Sequence, residues 1–185
     1  MEIDVVILAA GLSRRMGTSK VLLPWRGGTL LEAACQVYGG LGGKRIVVIG
    51  GERAEEAARI VNACGFTAVY NEKPEAGQSR SLALGIAALA DSARPVLCAV
   101  ADQPLMTKEA AGQMQVAYSK LEQNDKPILC PLYGPNKERG NPVIFSPDWK
   151  DALQQLVGDE GGRRLIRGAA KEYVQFSRNF RTYRR

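Results

Sequence analysis

A glycine-rich loop with several cations follows the first apolar segment of the chain and reads Leu8-Ala-Ala-Gly-Leu-Ser-Arg-Arg-Met-Gly-Thr-Ser-Lys20. Successive backbone N–H groups in such a turn form a concavity that binds anions, and Gly11 allows the backbone to approach a phosphate closely. Residues 5–31 include no acidic side chain. Four cations lie in that window: Arg14, Arg15, Lys20 and Arg26. The pattern predicts a polyphosphate-binding loop, with a solvated basic loop as the alternative.

A carboxylate also follows an apolar segment farther along the chain. Asp102 comes directly after the apolar segment 95–101, and Pro104 stiffens the turn that follows. Mg²⁺ in proteins is usually held by one or two carboxylates together with substrate phosphates. Asp102 is therefore a candidate magnesium ligand, and the alternative is an aspartate turn ahead of the helix that starts at Thr107.

Two common phosphate-binding motifs do not fit the glycine loop. The dinucleotide fingerprint G-x-G-x-x-G does not match a loop whose glycines are Gly11 and Gly17. The P-loop places lysine directly after its last glycine, whereas Lys20 lies three residues beyond Gly17. The chain also contains no histidine, which excludes histidine-based catalytic triads and histidine-ligated metal sites.

The elements that position these residues alternate along the chain. Continuous apolar runs are typical of buried strands, and six strands are predicted, at 3–10, 45–50, 66–70, 95–101, 127–133 and 141–146. One helix begins at a possible capping box, Thr29 to Glu32, and ends before Gly39. The other helices are predicted at 53–64, 77–90, 107–122, 148–157 and 161–170.

This alternation predicts an α/β fold. We expect one Rossmann-like domain with three α/β/α layers and a mainly parallel, mixed sheet. Such sheets bind ligands beyond the carboxyl ends of their strands, where both polar motifs would lie. Residues 1–170 are assigned to this domain and residues 171–185 to a basic tail.

The formal net charge of +6 belongs to the end of the chain. Residues 163–185 contain eight cations and one anion, whereas the remainder contains 17 cations and 18 anions. We therefore expect no nucleic-acid partner. No apolar run is long enough to span a membrane, and the acidic start lacks a secretory signal, so a cytoplasmic location is expected. The four cysteines are predicted to be reduced core thiols.

The glycine loop resembles that of the nucleotidyltransferases with the pattern L-A-A-G-x-S-x-R-M-G-x-x-K. The matching positions are Leu8, Ala9, Ala10, Gly11, Ser13, Arg15, Met16, Gly17 and Lys20. In that family the loop wraps the triphosphate of a nucleotide. The resemblance implies that Arg15 and Lys20 are catalytic, neutralising charge on the transferred and leaving phosphates.

Residues 71–85, NEKPEAGQSRSLALG, form a polar loop that leads into a helix. Glutamine and serine at a helix start can be simple caps. The resemblance implies instead that Asn71, Gly77, Gln78 and Ser81 contact the base and ribose. It also implies that Asp102 is the ligand of Mg²⁺.

Two further motifs, Arg139-Gly-Asn-Pro142 and Gly158-Asp-Glu-Gly-Gly-Arg163, resemble those of molybdenum cofactor cytidylyltransferases in particular. The implied reaction is attack of the terminal phosphate of molybdopterin on the α-phosphate of CTP, with release of pyrophosphate. A molybdoenzyme or its chaperone would be a further partner. Substrate contacts would come from Arg139, Asn141, Asp159 and Arg163.

Three alternatives remain open at this point. The second pair of motifs can be plain structural turns. A relative could use GTP or another phosphate acceptor, although the related guanylyltransferases tend to carry glycine where this loop has Ala10. A third alternative is a cofactor-binding protein with impaired catalysis.

The basic tail departs from the family. Relatives usually end in a motif that gives the metal a second carboxylate, whereas no acidic residue follows Glu172 here. The resemblance therefore predicts weak metal affinity and impaired turnover.

Overall fold

Ten strands and six helices make up the regular structure of a computed structural model that describes residues 1–11, 19–122, 126–158, 161–169 and the backbone of 172–175. The strands are β1 (Ile3–Leu8), β2 (Pro24–Trp25), β3 (Gly28–Thr29), β4 (Gly42–Gly50), β5 (Thr67–Asn71), β6 (Val96–Val100), β7 (Ile128–Tyr133), β8 (Glu138–Arg139), β9 (Val143–Phe145) and β10 (Glu172–Gln175). The helices are α1 (Leu30–Tyr38), α2 (Ala54–Ala63), α3 (Gln78–Ala87), α4 (Lys108–Ser119), α5 (Lys150–Gln154) and α6 (Arg163–Gly168).

The main sheet has the strand order β10-β7-β9-β6-β1-β4-β5, and β8 pairs with β7 beside this path. β6, β1, β4 and β5 run parallel to one another. β9 is antiparallel to both β6 and β7, whereas β10 is parallel to β7. The predicted mainly parallel, mixed sheet is confirmed.

Helices cover both faces of the sheet, which confirms the three layers. The buried side chains of β1 alternate as the pleat requires. Ile3, Val5 and Ile7 pack with buried residues of α1, α2 and α4, whereas Val6 packs on the other face with residues of α3, α5 and α6. Among the described residues no helix is long and apolar enough to cross a membrane.

The capping box at the start of α1 is present. The Thr29 hydroxyl accepts a hydrogen bond from the Glu32 backbone N–H, and the Glu32 carboxylate accepts one from the Thr29 N–H. Other local features were not expected from the sequence. A small antiparallel hairpin, β2–β3, lies within a segment predicted to be loop, and β10 lies within the segment assigned to the tail.

A buried ion pair lies at the amino end of β1. The side chain of Asp4 is fully buried, and its Oδ2 is 3.5 Å from Nζ of Lys150. Asp4 Oδ1 accepts a hydrogen bond from the Lys44 N–H, while Nζ of Lys150 donates to the carbonyl oxygen of Ser92. These bonds tie the start of α5 to the edge of the sheet opposite the polar motifs.

Candidate active site

The carboxyl ends of β1 and β6 open into a cavity of about 700 Å³. The structure brings nine residues predicted to form the site together in its lining: Leu8, Ala9, Ala10, Gly11, Lys20, Gly77, Gln78, Ser81 and Asp102. They come from four separate parts of the chain. The parallel strands bring them together because carboxyl ends of adjacent parallel strands meet at one edge of the sheet.

Lys20 and Asp102 supply opposite charges to this cavity. Lys20 begins a 3₁₀ turn, Lys20–Leu22, anchored by the buried Val21 and Leu22. Asp102 is exposed and follows the last residues of β6. An ammonium group and a carboxylate in one open cavity can together hold a polyphosphate and a divalent cation.

Asn71 lies behind the cavity lining. Its side chain is 2% exposed, and its Nδ2 donates to the Ser81 hydroxyl at 2.9 Å. Its Oδ1 accepts from the Lys73 N–H and from Nε of Arg80. The amide therefore connects the end of β5 to the first turn of α3 and holds Ser81, which lines the cavity, in place.

Gly77 shapes the turn that enters α3. Its φ of 96° and ψ of 173° fall in a region that is essentially accessible only to glycine. The Ser79 N–H in the first turn donates to the carbonyl oxygen of Gly158, so the segment after α5 contacts the start of α3. Two of the predicted motifs thus meet at one wall of the cavity.

A second cavity, of about 370 Å³, brings Arg139, Asn141 and Arg163 together. Arg167 from α6 and Glu138 from β8 also line it. Three guanidinium groups around one cavity favour an anionic ligand. Arg139, Asn141 and Arg163 had been predicted to contact the acceptor, and they line one concave site.

A small cavity of about 100 Å³ joins the two. It shares Leu8, Gln78 and Val100 with the first cavity, and it shares Asn141 and Arg163, among others, with the second. Nonpolar side chains, including Leu82 and Phe145, form part of its wall. The two larger cavities are therefore neighbours, with the small cavity between them.

Local packing fixes the Arg139-Gly-Asn-Pro142 motif. The Tyr133 hydroxyl donates to the carbonyl oxygen of Asn141, and the Asn141–Pro142 peptide bond is cis. A Cβ on Gly140 would lie 2.6 Å from the Tyr133 ring, so this position requires glycine or a shift of the ring. Arg139, the last residue of β8, lines the second cavity just ahead of this packed glycine.

The thiol of Cys98 lies in the wall of the connecting cavity. Burial raises its pKa to about 12, and the nearby Lys150 only partly opposes this shift. Because the thiolate is the nucleophilic form, Cys98 is not a nucleophile near neutral pH. It is a buried thiol that forms no disulfide, as are Cys35 and Cys130, while Cys64 is half-buried and also forms no disulfide.

Three predicted site residues, Ser13, Arg15 and Asp159, lie outside the described part of the chain, as does segment 176–185 of the tail. No cluster of three or more acidic, cysteine or histidine side chains suited to a metal ion occurs among the described residues. Of the acidic residues described, Asp102 and Glu75 line the first cavity.

Sequence reasoning missed Glu75 and Arg167 as lining residues. Glu75 lies in segment 71–85, which had been singled out for other residues. The available signal was its acidic side chain within that polar loop. Arg167 lies four residues after Arg163 in the helix predicted at 161–170, and this spacing, which places both on one helix face, was the available signal.

Comparisons with known proteins agree with this geometry. Residues 5–175 match the family of MobA-like NTP transferase domains. The chain is 30% identical over 174 residues to the nicotine blue oxidoreductase of Paenarthrobacter nicotinovorans, covering 88% of this chain and 80% of that protein. It is 31% identical over 160 residues to the molybdenum cofactor cytidylyltransferase of Escherichia coli (strain K12), covering 84% of this chain and 74% of that one.

A solved structure shares the fold closely. The crystal structure of the Mycobacterium tuberculosis rv0371c homolog from Mycobacterium sp. strain JC1 superposes with a TM-score of 0.80 at 27% identity, covering 95% of this chain and 86% of that one. Because the family match spans nearly the whole chain and includes the loop and strand ends that form the first cavity, this chain belongs to the MobA-like NTP transferase family of nucleotidyltransferases.

Proposed function

We propose that this protein transfers CMP from CTP to the terminal phosphate of a molybdopterin-type acceptor. The observation that carries the proposal is that a cavity with Lys20 and Asp102 neighbours a cavity with three arginines, with a small cavity between them that shares residues with both. The first cavity is suited to the nucleoside triphosphate. The second is suited to an anionic acceptor, so the reacting phosphates would meet at the small cavity between them.

In this reaction an oxygen of the acceptor phosphate forms a bond to the α-phosphorus of CTP. The bond between the α-phosphorus and the oxygen that bridges to the β-phosphate breaks, and pyrophosphate leaves. The acceptor oxygen is already anionic, so no side chain has to remove a proton. The chain's own residues contribute alignment and charge neutralisation: Lys20 from the lining of the first cavity, and Arg15, which lies outside the described residues, by the resemblance of its motif.

The residues present fit a single divalent cation. Asp102 offers an exposed carboxylate in the same cavity as Lys20, and Mg²⁺ can be held by one carboxylate together with substrate phosphates. When bound, Mg²⁺ would offset negative charge on the triphosphate. We expect weak metal affinity, and a magnesium titration of pyrophosphate release would test this: saturation in the micromolar range would contradict it.

The choice of CTP over GTP rests on Ala10. Its side chain is 4% exposed, and its Cβ lies 3.2 Å from the position of a Cβ built on Gly50. The methyl group therefore packs against the end of β4 beside the cavity that Ala10 lines, and glycine at this position would leave more room for a purine. This steric preference predicts faster turnover with CTP.

The test is pyrophosphate release with each of the four ribonucleoside triphosphates, with and without molybdopterin as acceptor. We expect release with CTP that depends on the acceptor. Equal or better turnover with GTP would contradict the nucleotide assignment. Nucleotide binding without pyrophosphate release would instead indicate a cofactor-binding protein.

A second candidate is an oxidoreductase, since one relative is named for that activity. The same cavity would then hold a dinucleotide, although the glycine spacing of the loop does not match the dinucleotide fingerprint. Oxidation of NADH or NADPH by the protein, in the absence of any pyrophosphate release, would favour this candidate over nucleotidyl transfer.

A further inference from the structure

Glu75 is an acidic residue in a cavity suited to a polyanion. It lies in a 3₁₀ turn, Pro74–Ala76, directly before Gly77, and it lines the first cavity. The side chain is exposed, and within the described ranges it has no hydrogen-bond or ion-pair partner. A carboxylate beside a triphosphate is repelled by it. Glu75 is therefore best accommodated at the end of the nucleotide that carries no charge.

The turn that carries Glu75 is held in place. Asn71 accepts a hydrogen bond from the Lys73 N–H just ahead of Pro74. A Cβ on Gly50 would lie 3.5 Å from Cβ of Pro74, so the turn packs against the end of β4. With Gly77 confined to its glycine-only conformation on the other side, the backbone position of Glu75 is constrained from both directions.

We propose that Glu75 is a specificity-determining residue that accepts a hydrogen bond from the exocyclic amino group of the base. This deepens the proposed function and rests on it. A carboxylate is an acceptor only, so it pairs with the 4-amino group of cytosine. Uracil has an oxygen at that position, and two acceptors facing each other leave the carboxylate without a partner. Glu75 would thus select CTP against UTP, in which an oxygen replaces the 4-amino group and N3 carries a proton.

The experiment compares the affinities of CTP and UTP by isothermal titration calorimetry, with magnesium and again with EDTA. We expect the parent protein to prefer CTP by about tenfold or more, as for a hydrogen bond to a charged group. Glu75→Gln should bring the two affinities to within about threefold, because the glutamine amide can donate to uracil or accept from cytosine. Glu75→Ala should weaken CTP without weakening UTP.

Glu72→Gln is the matched control, because Glu72 is also exposed but does not line the cavity. It should keep the preference of the parent protein. An unchanged CTP preference in Glu75→Gln would overturn the assignment while leaving the proposed function intact. An effect of Glu75→Gln that disappears in EDTA would also overturn it, since Glu75 would then act through the metal. If the parent protein binds no nucleoside triphosphate, the proposed function itself fails.

Discussion

Charged side chains at the two ends of the sheet have opposite surroundings. At the amino end of β1, Asp4 and Lys150 are buried and paired with each other. At the carboxyl ends, Asp102 is exposed and Lys20 is half-buried, and both line an open cavity. A fully buried pair cannot reach a ligand and contributes to the fold only, whereas charges on the wall of an open cavity can also contact a ligand. The comparison predicts that substitutions at the two ends affect different properties.

The largest effect is expected from Asp4→Asn. Removing one member of a buried ion pair typically costs about 3–5 kcal/mol, because the other charge is left buried without its partner. The free energy of unfolding, measured with urea, should fall by that amount, while CTP affinity at low temperature should be kept.

The control for this prediction is Glu2→Gln. Glu2 pairs with Arg94 at 2.6 Å, but both side chains are about half-exposed. An exposed pair contributes less than about 1 kcal/mol, so this variant should keep its stability. If Asp4→Asn and Glu2→Gln lowered the free energy of unfolding equally, burial would not explain the contribution of these ion pairs.

At the other end of the sheet, Lys20→Ala and Asp102→Asn should impair catalysis and leave stability unchanged. Removal of one positioned electrostatic partner typically lowers kcat by about 10²–10³. The measurements are pyrophosphate release and thermal melting, with Lys120→Ala and Asp91→Asn as exposed controls outside the first cavity. Activity within about threefold of the parent protein, roughly 0.65 kcal/mol of barrier, would remove either residue from the site.

Gly85→Ala should have a smaller effect, which we expect on both stability and CTP binding. A Cβ at this position in α3 would lie 2.4 Å from Cγ1 of Val6 and 3.0 Å from Cγ2 of Val48. Overpacking of this kind costs about 1–3 kcal/mol. Because α3 also carries Gln78 and Ser81 to the cavity, we expect weaker CTP binding as well.

Gly112→Ala in α4 is the matched control for Gly85→Ala. A Cβ there has no atom within 4 Å among the described residues, and the position is helical. Alanine should raise stability by about 0.4–1 kcal/mol. If Gly85→Ala lowers stability but leaves CTP affinity unchanged, the position of α3 does not control the cavity.

The smallest effect concerns pH. Burial lowers the pKa of Lys150, and Asp4 opposes this shift. In Asp4→Asn this opposition is lost, so the pKa of Lys150 in the folded protein falls further. As pH approaches the usual lysine pKa of about 10.4, the unfolded chain therefore binds more protons than the folded one. The free energy of unfolding should then rise with pH in this range, more steeply than in the parent protein. Urea denaturation at several alkaline pH values would measure this, and the same slope in Asp4→Asn/Lys150→Met would contradict the explanation.

The sequence predicted the parts of the fold that carry a strong local pattern. The buried strands β1, β4 and β6 follow from continuous apolar runs, and α1 follows from Thr29 and Glu32. The two-residue strands of the β2–β3 hairpin are too short to show any periodicity. β10 depends on pairing with β7, about 40 residues earlier in the chain, and local sequence does not reveal such pairings.

The same distinction applies to the site. Lys20 and Asp102 were identified because their motifs follow strand ends. The sequence could not show that the Asn71 amide is engaged by Ser81, Arg80 and Lys73 behind the lining. Nor could it show that a small cavity lies between the two larger ones, because that cavity depends on how α6 packs against the sheet.

The reversal of strand direction at β9 has a consequence for how such proteins diversify. The first cavity lies at the ends of the parallel strands, whereas Arg139 is the last residue of β8 and Asn141 lies between β8 and β9, two strands that are each antiparallel to β7. Insertions or replacements in segment 134–142 need not disturb the register of β6, β1 and β4. A chimaera that exchanges this segment with that of a relative should therefore fold, and we expect it to change the lining of the second cavity without changing the first.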